Sequence, residues 1–163
     1  DDVLTEYHVV GIGDLSRELD REAGFMAAMR SLKAQGAFTI WAHPHWMDNA
    51  IPDGLRHGFD AVEIYNHGCH VEINRGFGSP HWTHALDAGN PMIAVAVGDA
   101  HFCPGTPDAN GGWTMVNAPE LTREAIMDAL RRGNSYASNG PSFASTEVDC
   151  NVVRVKAWPG RLV

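Results

Sequence analysis

The sequence predicts an α/β fold: a sheet of mainly parallel strands with helices packed against it. Three observations carry that prediction. Short runs at 38–42 (FTIWA), 60–65 (DAVEIY) and 92–97 (MIAVAV) are apolar almost throughout. They alternate with stretches in which apolar residues recur every three or four positions. A strand apolar along its whole length is buried on both faces, which in one domain means a parallel sheet covered by helices. At 163 residues the chain has room for a single domain with a proper core, which we place over 1–163. Open doubly wound sheets and closed barrels both satisfy the alternation, and both build their sites at the carboxyl ends of the strands.

The elements follow in order. YHVVGI, residues 7–12, reads as the first strand, and GDLSRELDRE leads toward a helix. In EAGFMAAMRSLKAQG, Phe25, Ala28, Met29 and Leu32 have the i, i+3, i+4, i+7 spacing of one helical face, with Gly36 at the C-cap. FTIWA is the next strand, PDGLRH a single helical turn opened by Pro52, and DAVEIY another strand. SPHWTHALDAG reads as a helix capped by Ser79, with Pro80 in its first turn, Trp82, Ala85 and Leu86 on one face, and Gly89 ending it. MIAVAV is a strand, and after a loop rich in Gly and Pro WTMVNA is a further one. LTREAIMDALRRG is the strongest helical signal. Thr122 caps it, Leu121 and Ile126 form a hydrophobic staple, and Gly133 terminates it. From SYASNGPSF onward strands return, and 144–163 reads as the start of a β extension.

Composition narrows the function. With 12 Lys and Arg against 20 Asp and Glu, the formal net charge of −8 argues against nucleic acid as a partner. The three cysteines are odd in number and lie far apart without a C-x-x-C, which argues against a disulfide framework and a thiolate zinc site. No apolar run approaches a membrane span, and DDVLTEY lacks a signal-peptide pattern. The expectation is a cytoplasmic protein with no membrane partner.

Nine histidines are the compositional oddity, and position decides which of them matter. FTIWA is followed at once by His43 and His45, DAVEIY by Asn66 and His67, and MIAVAV by Asp99 and His101. The first strand contributes His8. Neighbouring strand ends lie roughly 5–10 Å apart, so these groups meet at one rim. Nitrogen and oxygen donors without thiolates suit Zn²⁺, Mn²⁺ or Fe²⁺ in a site with open positions. Such an ion lowers the pKa of bound water toward about 7, which hydrolysis needs. His45, Asn66 and His67 read as groups facing the substrate or supporting the ligands. His57, His70, His81 and His84 read as exposed, Glu63 as half of an interior ion pair, and Cys69 and Cys103 as inert thiols.

In order, TIWAHPHW, DAVEIYN, AVGDAHF and NSYASNGPSF resemble the C-terminal part of PHP-domain proteins, the polymerase and histidinol phosphatase superfamily. Within it they resemble the branch of CehA/McbA-like metallohydrolases, and the likeness runs over residues 7–143. The resemblance implies a distorted, TIM-like β/α barrel of seven strands whose C-terminal rim holds two or three divalent metals. It implies phosphoester hydrolysis as the main activity, with other esters or carbamates in some members. By position it implies His8, His43, Asp99 and His101 as metal ligands, and it marks Asn66 as typical of the branch. The His-x-His strand, the Asp-His motif and the glutamate that open such domains have no counterpart here, Glu6 being the one acid near His8. The expectation is therefore the C-terminal portion of a metal-dependent hydrolase of a small-molecule substrate. Asp99 would take part in the chemistry, His45 or His67 would protonate the leaving group, and Asn66 would bind substrate. A second copy of the chain would cover the exposed sheet edge. The contrasting expectation is a non-catalytic remnant with an incomplete site.

Overall fold

The computed structural model describes residues 7–17 and 24–158. Glu6 and part of the stretch leading toward the first helix lie outside them. Strand β1 (Val9–Ile12) is followed by helix α1 (Phe25–Ala34), β2 (Phe38–Trp41), the short α2 (Ile51–Leu55) and β3 (Ala61–Asn66). Next come α3 (His67–Ile73), α4 (Ser79–Asp87), β4 (Ile93–Val97), β5 (Trp113–Val116), α5 (Arg123–Arg131), β6 (Ser135–Ser138), β7 (Ser142–Asp149) and β8 (Val152–Trp158). The fold is mixed α/β.

The central sheet has four strands in the order β1-β2-β3-β4. Strands β2, β3 and β4 run parallel, as their largely apolar runs predict. β1 runs antiparallel to β2, from Val9 opposite Trp41 to Ile12 opposite Phe38, so the sheet is not uniformly parallel. Alternation along β2 divides the core. Trp41 packs with Met29 of α1, Ala85 of α4, Phe59 and Val62 on one face. Phe38 and Ile40 meet Leu130 of α5, Ala61 and Val95 on the other. Trp41 is 0 % exposed, a burial that contributes roughly 2–3 kcal/mol.

The sheet stays open, and among the described residues no barrel closes. β5 and β6 form their own antiparallel pair beside β4. There the Thr114 hydroxyl accepts from the Ala96 amide at 3.0 Å and donates to the Ala96 carbonyl at 2.9 Å, replacing a strand ladder with one side chain. β7 and β8 form a third, separate hairpin.

Local expectations divide. Thr122 caps α5 by accepting from the Ala125 amide, and Gly36, Gly89 and Gly133 all have the positive φ of helix ends. Leu121, however, is 94 % exposed, so no staple forms with Ile126. α4 is capped by Gly78 without a side-chain bond, and Ser79 stands inside its first turn. α3 was not anticipated at all. No helix among the described residues is long and apolar enough to cross a membrane.

Candidate active site

β2 ends in Trp41, and the chain turns at His43 with a φ of 26°, outside ordinary strand geometry. Because β1 is antiparallel, it is its beginning that lies beside this end. The Ala42 amide donates to the His8 carbonyl at 3.2 Å, which places His8 next to His43 just before β1 begins. His8 Nδ1 and His43 Nε2 are within hydrogen-bond distance of each other at 3.3 Å, with the rings nearly perpendicular. Two imidazole nitrogens bound to one tetrahedral ion at about 2.05 Å would stand about 3.3 Å apart. Burial, and then the neighbouring His8, hold the His43 pKa below its ordinary value, so its ring favours the neutral, lone-pair-bearing form. His43 Nδ1 is buried and has no hydrogen-bond partner among the described residues.

β4 delivers Asp99 in a second unusual turn, with a φ of 52°. α3 begins against this turn: the Gly68 amide donates to the Gly98 carbonyl at 2.9 Å. A Cβ on Gly68 would lie 2.7 Å from the Asp99 carbonyl oxygen, so only glycine permits the approach. Asn66 joins the pieces. Its Oδ1 caps α3 by accepting from the Cys69 amide at 2.9 Å, while its Nδ2 donates to Asp99 Oδ2 and to Glu63 Oε2, each at 3.0 Å. The same Glu63 oxygen accepts from the His43 amide at 2.7 Å.

Glu63 is 3 % exposed and meets these two N–H donors rather than a cation, so the interior ion pair expected for it does not form. Burial pushes its carboxyl up to about 7, against the pull of the Asn66 and His43 N–H groups, and the charge on Asp99 adds to the rise.

His101 stands on the loop after Asp99. Its Nδ1 lies 3.0 Å from the Asp99 carbonyl oxygen, which can only accept, so Nδ1 donates there and Nε2 is the nitrogen not engaged in this bond. Its amide donates to Asp108 Oδ2 at 2.7 Å. Asp108, which the sequence does not single out, is 3 % exposed, and its Oδ1 has no partner among the described residues. The only signal for it was a carboxylate in the Gly/Pro-rich loop.

A cavity of about 550 Å³ gathers these groups. His8, His43, Asp99, His101 and Asp108 line it together with Trp46, Glu72, Cys69 and Cys103, and among the described residues no Lys or Arg does. Cys69 is buried, and burial and the neighbouring Asp99 carboxylate push its thiol up to about 12, consistent with an inert role.

The remaining candidates stand behind the cavity. Asn66, expected to bind substrate, is 1 % exposed, and its amide is bonded to three protein groups, Asp99 among them. His67 is engaged at both nitrogens, with Tyr65 Oη at 2.9 Å and the Pro107 carbonyl at 2.9 Å, which leaves no free nitrogen for proton transfer. His45 is outside the lining, with Nδ1 buried and without a hydrogen-bond partner among the described residues. Of the four histidines expected at the surface, His84 is exposed, His57 and His70 are half-buried against aromatic rings, and His81 is buried. Among the described residues no three His, Cys, Asp or Glu side chains converge closely enough to hold a metal ion. The chain brings four candidate ligands to one cavity and closes two of them into a pair.

This architecture, a mixed α/β sheet with its polar groups at the strand ends, has likenesses among known proteins. The family of proteins of unknown function DUF3604 matches residues 88–146, from the end of α4 into β7. A two-domain protein from Bacteroides vulgatus ATCC 8482, described as containing a predicted PHP-like metal-dependent phosphoesterase, superposes with a TM-score of 0.50 at 17 % identity. The likeness covers 86 % of this chain and 47 % of that one, so the chain spans about half the length of that protein. At this identity the likeness concerns the fold alone. No curated protein matches.

Proposed function

We propose that this chain carries the C-terminal rim of a PHP-type metal-dependent hydrolase, with a phosphoester as its substrate class. The observation that carries the reading is the His8–His43 pair, two ring nitrogens separated by the edge length of a tetrahedral site. The charge of the cavity supports it. Glu72, Asp99 and Asp108 line a space to which, among the described residues, no Lys or Arg contributes, so an anionic phosphate would be repelled unless a cation accompanied it. The donor set fits a divalent ion such as Zn²⁺, Mn²⁺ or Fe²⁺ in chemistry, and the histidine pair fits it in spacing. Asp99 and His101 line the same cavity without closing on the pair. The order AHP, EIYN and GDAH at consecutive strand ends supports a place in the CehA/McbA-like branch, with this sheet as part of its barrel.

When bound, such an ion supplies positive charge to the phosphate and a water of lowered pKa. The protein's own groups do the rest. His8 and His43 hold the ion. Asp99 is kept in orientation by Asn66, and His101 presents Nε2 because its other nitrogen donates to the Asp99 carbonyl. His67 is not assigned the leaving-group proton, because both its nitrogens are occupied. β1 is one edge of the sheet, with no strand paired beyond it among the described residues, and a second copy of the chain would cover it. Sedimentation velocity showing only monomers would remove that part of the reading.

The test begins with metal content by elemental analysis after chelation and re-addition of Zn²⁺, Mn²⁺ or Fe²⁺. His43→Ala is expected to abolish retention, and His84→Ala, on an exposed helical face, to leave it unchanged. Equal retention in both would sink the site. Turnover of an aryl phosphate with added Mn²⁺ that disappears in Asp99→Ala supports the phosphoesterase. Turnover confined to carbamates or carboxylic esters moves the bond, and metal binding without turnover on any of these leaves a non-catalytic remnant.

A further inference from the structure

β3 contains an irregularity with a consequence for the site. Its register against β4 shifts between Glu63, opposite Val95, and Tyr65, opposite Ala96, so Ile64 is an extra residue on the β3 side. Successive strand residues point to opposite faces, and residues three apart such as Glu63 and Asn66 would ordinarily face away from each other. One inserted residue reverses that parity. Asn66 Nδ2 consequently reaches Glu63 Oε2 at 3.0 Å, in the buried interior behind the cavity.

From there the pair grips two other strands. Glu63 Oε2 takes the His43 amide at the end of β2, and Asn66 Nδ2 takes Asp99 Oδ2 at the end of β4. Both gripped residues have positive φ, at 26° and 52°, conformations that non-glycine residues keep only when their surroundings hold them there. Nothing from β3 itself lines the cavity. Its role is to fix the turns on either side of it.

We propose that the β3 bulge builds a clamp in which Glu63 is a positioning residue, holding the turns that carry His43 and Asp99 in mutual register through one shared oxygen and the Asn66 amide. Its consequence for metal affinity rests on the proposed hydrolase reading; the clamp itself does not. A single oxygen accepts both hydrogen bonds, so a Gln carbonyl can replace it and a Leu cannot.

The experiment compares wild type, Glu63→Gln and Glu63→Leu as the full chain. It measures amide hydrogen exchange without metal and Zn²⁺ affinity by calorimetry. Glu63→Leu is expected to speed exchange of the His43 amide by about tenfold, the loss of one buried hydrogen bond, while unfolding remains cooperative. Zn²⁺ affinity should fall by a similar factor. Glu63→Gln should restore both. Unchanged His43 exchange in Glu63→Leu, or a Gln variant as impaired as the Leu variant, overturns the clamp.

Should Glu63→Leu fail to fold, Asn66→Ala cuts the other arm. It should expose the Gly68 and Cys69 amides, bonded to Gly98 and Asn66, while the His43 amide keeps its protection. Loss at all three together would mean general loosening and would also overturn the proposal. If wild type binds no Zn²⁺ yet the exchange pattern holds, the clamp stands and the hydrolase reading falls.

Discussion

His81 shows how much a single side chain's setting matters here. Its ring meets the Trp41 indole edge-on at 5.2 Å, and its Nε2–H donates to the Asn49 carbonyl at 3.2 Å. Burial lowers its pKa against the pull of that hydrogen bond, and His45 lowers it further. The folded protein therefore favours neutral His81 where the unfolded chain, with the ordinary value of 6.5, is already taking up protons. Between the lowered folded value and 6.5 the unfolded state binds more protons, so stability from this group is complete above that window and is lost as pH falls through it. His81→Gln keeps a donor for Asn49 and removes the titration. Its urea midpoint is expected to drop less on acidification below pH 6.5 than that of wild type. Equal drops would mean that other groups carry the acid sensitivity.

At the scale of elements, α3 and α5 are both opened by a side-chain cap, but they depend on it differently. α5 is amphipathic, buries Ala129 and Leu130 and packs on Phe38 and Ile40, so its sequence announces it. Thr122→Ala should cost about 1 kcal/mol in denaturant unfolding and leave Zn²⁺ binding unchanged, since the cap is remote from the cavity. α3 has seven residues and a glycine in its first turn, too short and too poor in propensity to stand alone. It exists because Asn66 caps it and the turn after β4 receives it. The pattern HGCHVEI could not reveal that, because its stabilising partners lie some thirty residues away on Gly98 and Asp99.

Across the whole molecule, packing is uneven. Strands β2 to β4 of the central sheet have core packed on both faces, whereas β7 and β8 expose nearly every residue, including Val148 at 72 % and Trp158 at 64 %. The base of the hairpin is tied by the Phe143 amide to Tyr136 Oη at 2.9 Å and by stacking of their rings at 4.3 Å. A two-stranded hairpin without a core behind it is marginal in water. Amides of 146–157 should therefore exchange well before those of β2 and β3, in a mass-spectrometric time course on the isolated chain. Exchange as slow as the core would show that something covers the hairpin.

The sequence by itself determined which residues reach the rim. An apolar run buried on both faces must stop where polar chemistry starts, so His43, Asp99 and His101 were legible from the strand ends alone. The helices with a clear 3.6-residue repeat were legible for a similar reason, because the repeat records which face is buried. The tertiary structure decided how the rim groups are used. Strand direction is set by pairing and not by local pattern, so only the fold showed that β1 reverses and sets the beginning of that strand, with His8, against His43. A bulge leaves no mark in composition, yet it turns Asn66 inward and makes Glu63 a hydrogen-bond hub where an ion pair was expected. His67 is held between Tyr65 two residues before it and the Pro107 carbonyl forty residues on, and Asp108 takes the His101 amide within one loop, contacts that strand and helix periodicity do not record. Burial is written locally in the chain, whereas the partner of a buried polar group is chosen by whatever the fold places beside it.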